Sequence, residues 1–321
     1  MTQRSKLASS AEVLRQSTID TKHSPAATAP SDHSRSRGLV YVTTAYVFWG
    51  LVPIFWKLFH RVPAIEVIAH RVVWSLVFVV AVGSATGLWT ELKPALRSPK
   101  KLGLHALSGL LLAGNWLAFV WGVNHGRVLE TSLGYFLVPL GSVALGRLFL
   151  GERLDGRQGW AIALAVVGVA LQFRGIGGVP WVALAILVTW ASYGYLRKRS
   201  PLGSLAGLAL ETTLLGPIGA GYLAYLATQG GGALGHASPG EQLGLAAGGM
   251  VTTIPLLLFA AGARRLPLAT VGILQYIVPS MTFLLGALLY REPLAPVRLV
   301  SFAFIWAALA LYSVDAFARR R

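Results

Sequence analysis

The sequence predicts an all-α polytopic membrane protein with ten transmembrane helices in two inverted five-helix repeats. Three observations predict this fold class. Charged residues make up 12% of the 321 positions, hydrophobic residues make up 55%, and the mean hydropathy is +0.61. Soluble domains carry about 25% charged residues, and a disordered chain has far fewer apolar ones. The other two observations are a series of long apolar segments and a repeated pattern in the second half of the chain.

The apolar segments begin after a polar tail. Residues 1–38 are rich in Ser, Thr, Ala and Arg, and we predict a disordered cytoplasmic tail there. A helix that spans a bilayer needs about 20 mostly apolar residues. The predicted spans are 39–58, 64–86, 103–123, 130–150, 159–174, 179–196, 204–226, 243–262, 268–290 and 296–315. Continuous apolar runs such as 161–171 favour helices over the alternating strands of a membrane β-barrel.

The repeat appears at an offset of 140 residues. Segment 138–154 aligns with segment 278–294 at seven identical positions, including a glutamate in register, Glu152 with Glu292. The alternative is that Pro, Gly and Leu recur by chance in apolar helices. An offset of five helices inverts the second half in the membrane, an arrangement typical of secondary transporters. We therefore predict a first repeat over 39–174 and a second over 175–321.

The distribution of basic residues predicts the orientation. The net charge of +16 would by itself suggest a nucleic-acid partner. With the amino terminus inside, 21 of the 28 Lys and Arg residues fall on the cytoplasmic side, six fall outside, and Arg71 lies within a span. Basic residues collect in cytoplasmic loops. The charge is thus a topology signal that places both termini in the cytoplasm, and we predict no nucleic-acid partner.

Ionisable residues inside the predicted spans are candidates for function, because a charge at a helix centre costs about 2.5–3.5 kcal/mol on insertion scales. Glu66 and His70 share one face of the second span, and Arg71 points toward another helix. Glu211 stands in the seventh span with no base nearby in sequence, and Lys57 ends the first span. Glu66 and Glu211 are candidate proton carriers. Alternatively, Glu66 neutralises Arg71 or Lys57 between packed helices.

Uncharged polar groups and two prolines extend the predicted substrate site. Asn115 lies within the third span, while Tyr135 and Gln275 occupy matched positions, each four residues before a proline, and Tyr276 adjoins Gln275. Proline in a span frees a backbone carbonyl that a cavity can use. Pro139 and Pro279 therefore predict matched helix breaks beside a central cavity. The alternative is that both prolines only kink their helices. The predicted substrate-binding residues are Lys57, Glu66, His70, Arg71, Asn115, Tyr135, Glu211, Gln275 and Tyr276.

Several stretches resemble the RarD-type permeases of the EamA branch of the drug/metabolite transporter superfamily. The resemblance covers about 39–315. The matching stretches are 48–57 (FWGLVPIFWK), 66–75 (EVIAHRVVWS), 115–116 (NW), 131–140 (TSLGYFLVPL), 249–256 (GMVTTIPL) and 275–279 (QYIVP). The resemblance implies ten helices in two inverted repeats, a bacterial inner-membrane location and transport of small metabolites or drugs. The polar tail departs from the compact amino terminus of the family.

The functional hypothesis is a secondary transporter that exports a small amphipathic metabolite or drug by alternating access, possibly in exchange for protons. We predict no cofactor and no metal site, since Cys is absent and the histidines are scattered. One alternative is an intramembrane enzyme acting on lipids, although the chain has no H-E-x-x-H motif. Another is a channel or non-catalytic partner subunit. The substrate, the coupling ion and the oligomeric state stay open.

Overall fold

A computed structural model describes residues 32–318 except 60, 126, 174–178, 234–235 and 290–295. The described residues form helices and connecting turns, with no strand among them. The helices are α1 (Asp32–Trp56), α2 (Ala64–Ala85), α3 (Leu88–Leu96), α4 (Pro99–Asn124), α5 (Val128–Leu150), α6 (Gly156–Gln172), α7 (Trp181–Arg199), α8 (Ser204–Thr228), α9 (Pro239–Ala263), α10 (Leu268–Leu274), α11 (Ile277–Leu284) and α12 (Pro296–Ala318). A 3-10 turn (Lys57–Phe59) follows α1, and a π-helical turn (Leu285–Leu289) follows α11.

Five of these helices are long and apolar enough to cross a membrane, as expected of a multi-pass membrane protein. They are α1, α2, α9, and the parts of α4 and α5 that cover Pro99–Gly122 and Glu130–Leu150. Every predicted span overlaps a described helix, and α1 begins at Asp32, within the stretch predicted as a tail. The rest of that tail, residues 1–31, lies outside the described residues. Ten spans stay a prediction.

The helices pack in a small number of extensive pairs. The most extensive are α6 with α12, α5 with α7, α2 with α8, α2 with α9, α1 with α9, α5 with α10, and α4 with α7. Close approach of α2 and α9 depends on Gly249, where a Cβ would overlap the backbone of Trp74. An aromatic cluster of Tyr46, Trp49, Trp190, Tyr193 and Phe259 fills the space between α1, α7 and α9. These contacts join early and late parts of the chain into one bundle.

The helices that contain Pro139 and Pro279 differ from the predicted pair of matched helix breaks. Helix α5 runs through Pro139 without interruption. The hydroxyl of Tyr276 donates a 3.1 Å hydrogen bond to the carbonyl oxygen of Phe136, one turn before that proline. Pro139 frees the carbonyl of Tyr135, four residues earlier, so the bond to Phe136 fastens α5 beside the proline without replacing the bond that the proline removes. The ninth segment does break, but at Gln275 and Tyr276, before Pro279.

Helix α10 begins on a carboxylate from the first half of the chain. The two side-chain oxygens of Glu152 accept hydrogen bonds from the backbone N–H groups of Leu268, at 2.7 Å, and Ala269, at 3.0 Å. Lys198 lies 3.4 Å from the same carboxylate. A negative side chain satisfies the free N–H groups at a helix start and complements the helix dipole. Glu152 therefore fixes where the broken segment enters the bundle.

Candidate functional site

Arg71 on α2 is held inside the bundle between two tryptophans. Its guanidinium carbon lies 4.4 Å from the ring centre of Trp116 and 5.0 Å from that of Trp56. Its Nε atom donates a 3.0 Å hydrogen bond to Oγ1 of Thr252 on α9. The negative faces of indole rings attract a cation, so two rings and one hydroxyl hold this charge. We define the Arg71 cluster as Arg71, Trp56, Trp116, Thr252, Asn115 and Tyr135.

Asn115 and Tyr135 extend the cluster toward α7. The Tyr135 hydroxyl donates a 3.1 Å hydrogen bond to Oδ1 of Asn115. The amide of Asn115 donates in turn to the carbonyl oxygen of Ile186, at 3.3 Å, and to Oγ1 of Thr189, at 3.2 Å. Asn115 is buried, whereas Tyr135 is partly exposed and interacts electrostatically with Arg71. The cluster therefore presents one cation, partly exposed rings and an ordered hydroxyl.

Gln275 and Tyr276 contact other parts of the bundle. Oε1 of Gln275 accepts a 3.2 Å hydrogen bond from the indole N–H of Trp190 in the aromatic cluster. Tyr276 is fully buried, and its hydroxyl is bound to Phe136 on α5. The contacts of Tyr276 thus hold α11 against α5. Gln275 therefore contacts the aromatic cluster, and Tyr276 has no exposed surface.

Glu66 and His70 form a second buried group, on the same helix as Arg71. Oε1 of Glu66 accepts a hydrogen bond from the backbone N–H of Ala233 in the loop between α8 and α9. Nε2 of His70 lies 3.9 Å from that oxygen. Within the described part of the chain, neither ring nitrogen of this buried histidine has a hydrogen-bond partner. Glu66 therefore anchors a loop while His70 keeps an unused proton-binding site beside it.

Glu211 on α8 has no base nearby in sequence, but the fold surrounds it with donors from α4 and α7. Its carboxylate lies 3.2 Å from Nη1 of Arg197 and 3.2 Å from Nδ1 of His105. The hydroxyl of Ser108 donates to it at 2.5 Å, and that of Tyr193 donates at 3.4 Å. All four partners are buried with it. We define these five residues as the Glu211 cluster, which is a closed charge network.

Sequence reasoning missed the four partners of Glu211, and Arg197 is the most informative of them. The predicted span 179–196 leaves Arg197 in a cytoplasmic loop, but α7 extends to Arg199 and the Arg197 side chain is fully buried. The space for it comes from Gly207 on α8, where a Cβ would overlap the guanidinium. A signal was present, because Arg197 falls on the same helical face as Trp190 and Tyr193. A basic residue on the same helix face as buried aromatic residues is expected to point into the bundle.

The remaining predicted positions carry less information. The side chain of Lys57 lies outside the described residues, although its backbone is in the 3-10 turn after α1. Among the described residues, no group of three or more His, Cys, Asp or Glu side chains could hold a metal ion. The Arg71 cluster offers one cation, aromatic rings and hydroxyls, and it is the candidate binding site.

A polar cleft of 440 Å³ opens beside α3, lined in part by Thr90, Glu91, Lys101 and Arg264. Two of its charged groups, Glu91 and Arg264, are bound to backbone atoms. Glu91 accepts a 3.0 Å hydrogen bond from the N–H of Gly203, and Arg264 donates to the carbonyl oxygen of Leu202. Burial and the nearby Arg197 and Arg265 charges lower the pKa of Arg264. These contacts hold α3 and the α7–α8 turn together, which favours a structural role for the cleft.

Comparison with known proteins gives consistent matches. The family model described as the EamA-like transporter family matches residues 36–174. An uncharacterized transporter of Pseudomonas aeruginosa is 45% identical over 87% of this chain and 94% of its own length. Protein RarD of Escherichia coli is 41% identical over 89% of this chain and 96% of its own.

Two further matches extend this picture. A protein of Pseudomonas aeruginosa named chloramphenicol-sensitive protein RarD is 32% identical over 87% of this chain and 94% of its own length. A protein of known crystal structure superposes with a TM-score of 0.67 over 88% of this chain and 99% of that one. Its sequence is 22% identical, so this likeness shows the fold alone.

Proposed function

The chain belongs to the EamA-like transporter family and is a homologue of the RarD proteins, and we propose that it is a secondary carrier of small molecules that works by alternating access. The observation that carries this proposal is the composition of the Arg71 cluster. Helices α1, α2, α4 and α5 supply its residues from the first half of the chain, and α9 supplies Thr252 from the second. A site shared between two halves changes its access when the halves rock against each other.

We further propose ten spans in two inverted repeats, 39–174 and 175–321. The helix pairs support this arrangement. If each proposed span is replaced by the span five earlier or five later, each contacting pair of helices should correspond to another contacting pair. The pair α5–α7 corresponds to α11–α1, α4–α7 to α9–α1, and α2–α9 to α8–α4. All of these pairs are in contact. The pairs α2–α8, α5–α10 and α6–α12 map onto themselves. A packing pattern that survives this exchange is what a two-fold pseudo-symmetric bundle produces.

We propose a bacterial inner-membrane location with both termini in the cytoplasm. The distribution of Lys and Arg supports this orientation, with Lys93, Arg97, Lys100 and Lys101 all near the α3–α4 connection. The bacterial sources of the RarD relatives support the location. Within the described residues, the Arg71 cluster contains no nucleophile paired with a base, and the Ser200 hydroxyl that lies 2.9 Å from Nε2 of His105 is buried beside the Glu211 cluster, which favours a carrier over an enzyme.

We propose that export is coupled to protons, with Glu66 and Glu211 as candidate carriers. The surroundings favour Glu66. Glu211 is paired with Arg197 and His105, and each of these stabilises its charged form. Beside Glu66 lies the ring of His70, whose nitrogens have no hydrogen-bond partner among the described residues and which can accept a proton from the carboxyl group or release one to it.

The test is transport by the purified full-length chain in liposomes. The probes are the acid indole-3-acetate and the neutral compound chloramphenicol, which occurs in the name of one relative, and transport of either one supports a carrier. We expect saturable uptake and counterflow, in which external probe accumulates against a preloaded pool. A flux that rises linearly with concentration and shows no counterflow would contradict a carrier and indicate a pore.

Proton coupling is tested on the same vesicles with an imposed pH gradient. We expect Glu66→Gln to abolish the response to the gradient while counterflow without a gradient continues, because exchange of substrate needs no net proton movement. Glu241→Gln is the matched control. Glu241 is exposed and closes a capping box with Ser238 at the start of α9, a role that glutamine also fills. An unchanged gradient response in Glu66→Gln together with its loss in Glu211→Gln would assign the proton to Glu211.

A further inference from the structure

We infer that the substrate carries an anionic group, a carboxylate or a phosphonate, which binds the terminal nitrogens of Arg71 while an adjoining planar apolar part packs on Trp56 and Trp116. This inference rests on the carrier function proposed above and names the class of substrate. Three features of the structure support it: an unbalanced charge, the open edge of the guanidinium, and a contrasting arginine elsewhere in the chain.

The charge of Arg71 lacks a balancing acid. Among the described residues, none of the acidic side chains lies within ion-pair distance of it, and Thr252 is its single hydrogen-bond partner. Glu66, which the sequence offered as a neutralising partner, is bound to the backbone of Ala233 instead. Placing an arginine inside a membrane helix is costly, and such residues normally pair with other groups. An anionic ligand supplies the missing charge.

The geometry leaves one edge of the guanidinium for that ligand. Two indole rings flank the group, and Nε is occupied by the hydroxyl of Thr252. The edge formed by Nη1 and Nη2 has no acceptor among the described residues. Arg71, Trp56 and Trp116 are all partly exposed. Two parallel N–H groups match the two oxygens of a carboxylate or phosphonate, and such bidentate contacts are among the strongest hydrogen bonds in proteins.

Arg127 shows what a balanced version of this arrangement looks like. Its guanidinium also lies over two tryptophans, 5.9 Å from the ring centre of Trp121 and 5.7 Å from that of Trp181. In contrast to Arg71, it has an internal carboxylate, with Nη1 lying 3.0 Å from Oε1 of Glu130. Within the described residues, an arginine lies over two tryptophans at Arg71 and at Arg127, and a carboxylate accompanies the second of them.

The experiment compares acids with neutral and cationic analogues on identical skeletons. The probes are benzoate, 3-phenylpropionate, indole-3-acetate and phenylphosphonate, each with its amide, and the amines benzylamine, 3-phenylpropylamine and tryptamine. Binding to the detergent-solubilised full-length chain is measured by thermal shift and by tryptophan fluorescence, since a ligand that binds the native state stabilises it. We expect at least one acid to bind, and each acid that binds to bind more tightly than its amide and amine. If none of the acids is preferred over its analogues, the inference is wrong.

Variants then assign the preference to Arg71. We expect Arg71→Gln to lower acid affinity about tenfold or more, the range for a lost charge-assisted hydrogen bond, and to leave the weak binding of the amides unchanged. The matched control Arg127→Gln should bind the acids as the wild type does. Wild-type acid affinity in Arg71→Gln overturns the inference.

Two further measurements are needed. The first tests the anion site even if Arg71→Gln misfolds, and the second tests it independently of the carrier proposal. Thr252→Val keeps the charge and removes the group that orients it, so we expect a several-fold loss of acid affinity even if Arg71→Gln does not fold; an unchanged affinity counts against the site. Counterflow is measured independently. Arg71-dependent acid binding without counterflow refutes the carrier and retains the anion site. Saturable counterflow of an amine, insensitive to Arg71→Gln, refutes the anion site and retains the carrier.

Discussion

Arg71 and Glu211 occupy matched positions in the two repeats that we propose, and they have opposite surroundings. Helix α2 begins at Ala64 and α8 begins at Ser204, so the offset of 140 residues places Arg71 over Glu211. The two helices pack against each other. Glu211 is fully buried with four donors around it, whereas Arg71 is partly exposed and has one hydrogen bond.

The difference separates two uses of a charge inside a membrane protein. The Glu211 cluster satisfies its carboxylate with residues of α4 and α7, so its charges act on each other. The Arg71 cluster holds its cation with rings and a hydroxyl and leaves its terminal nitrogens to a ligand. Under the repeat and the anion site that we propose, matched positions in the two halves serve as a structural contact in one half and as a binding group in the other.

The largest expected effect is on stability at the Glu211 cluster. Glu211→Gln leaves the buried charge of Arg197 without its partner, and breaking a buried ion pair costs about 3–5 kcal/mol. Arg71→Gln removes no ion pair, and we expect it to cost about 1 kcal/mol from the lost ring contacts. Unfolding of the purified variants in detergent measures both. Equal losses for the two variants would remove the distinction between the clusters.

Removing both charges of the Arg197–Glu211 ion pair should destabilise the chain less than removing the charge of Glu211 alone. In Arg197→Met with Glu211→Leu, no uncompensated ion stays in the core, and replacing a buried pair by apolar residues is often neutral or stabilising. We expect the double variant to regain about half or more of the stability that Glu211→Gln loses. The same unfolding measurement applies. A double variant that is less stable than Glu211→Gln would mean that the ion pair specifies the local packing.

A smaller effect is expected from the hydroxyl of Ser108, which donates to the Glu211 carboxylate at 2.5 Å. Hydrogen bonds to charged groups contribute about 1.5–3 kcal/mol, so Ser108→Ala should destabilise the chain by that amount. Ser84→Ala is the control, because its hydroxyl is exposed and bonds only to a backbone carbonyl of its own helix. If the two variants are equally stable, the short contact to Glu211 contributes little.

The smallest expected effect is at the Arg71 cluster. Tyr135→Phe removes a hydrogen bond between two neutral groups, the Tyr135 hydroxyl and Asn115, and such bonds contribute about 0.5–1.5 kcal/mol. We expect its stability to fall by less than that of Ser108→Ala in the same unfolding assay. A loss as large as that of Glu211→Gln would show that the Arg71 cluster also serves as a structural contact.

The helical class and the main polar positions could be predicted from the sequence, because apolar segment length and helical spacing are local properties. The four-residue spacing of Glu66 and His70 puts them in contact, and Arg71 reaches another helix as expected. The partners of Glu211 could not be predicted in this way. Arg197 is 14 residues away across a turn, and assigning the end of α7 three residues too early moved it from the core into a loop.

The continuity of α5 through Pro139 also could not be predicted from a local sequence pattern. A proline predicts a freed carbonyl, but whether the helix breaks depends on what the neighbouring helices offer. Here the hydroxyl of Tyr276 binds the carbonyl of Phe136, which is next to the carbonyl of Tyr135 that Pro139 frees. That donor is on another helix, and only the packing of α11 against α5 brings it there.

The packing of Gly207 against the Glu211 cluster predicts a pattern of covariation among homologues. Any side chain at this position would occupy the volume that the guanidinium of Arg197 now fills. A mutation there is tolerable only after the arginine has shortened or gone, so the two positions should covary among homologues. A family member with a bulkier residue aligned to Gly207 should lack the arginine aligned to Arg197, and the acid aligned to Glu211 should then be under relaxed selection.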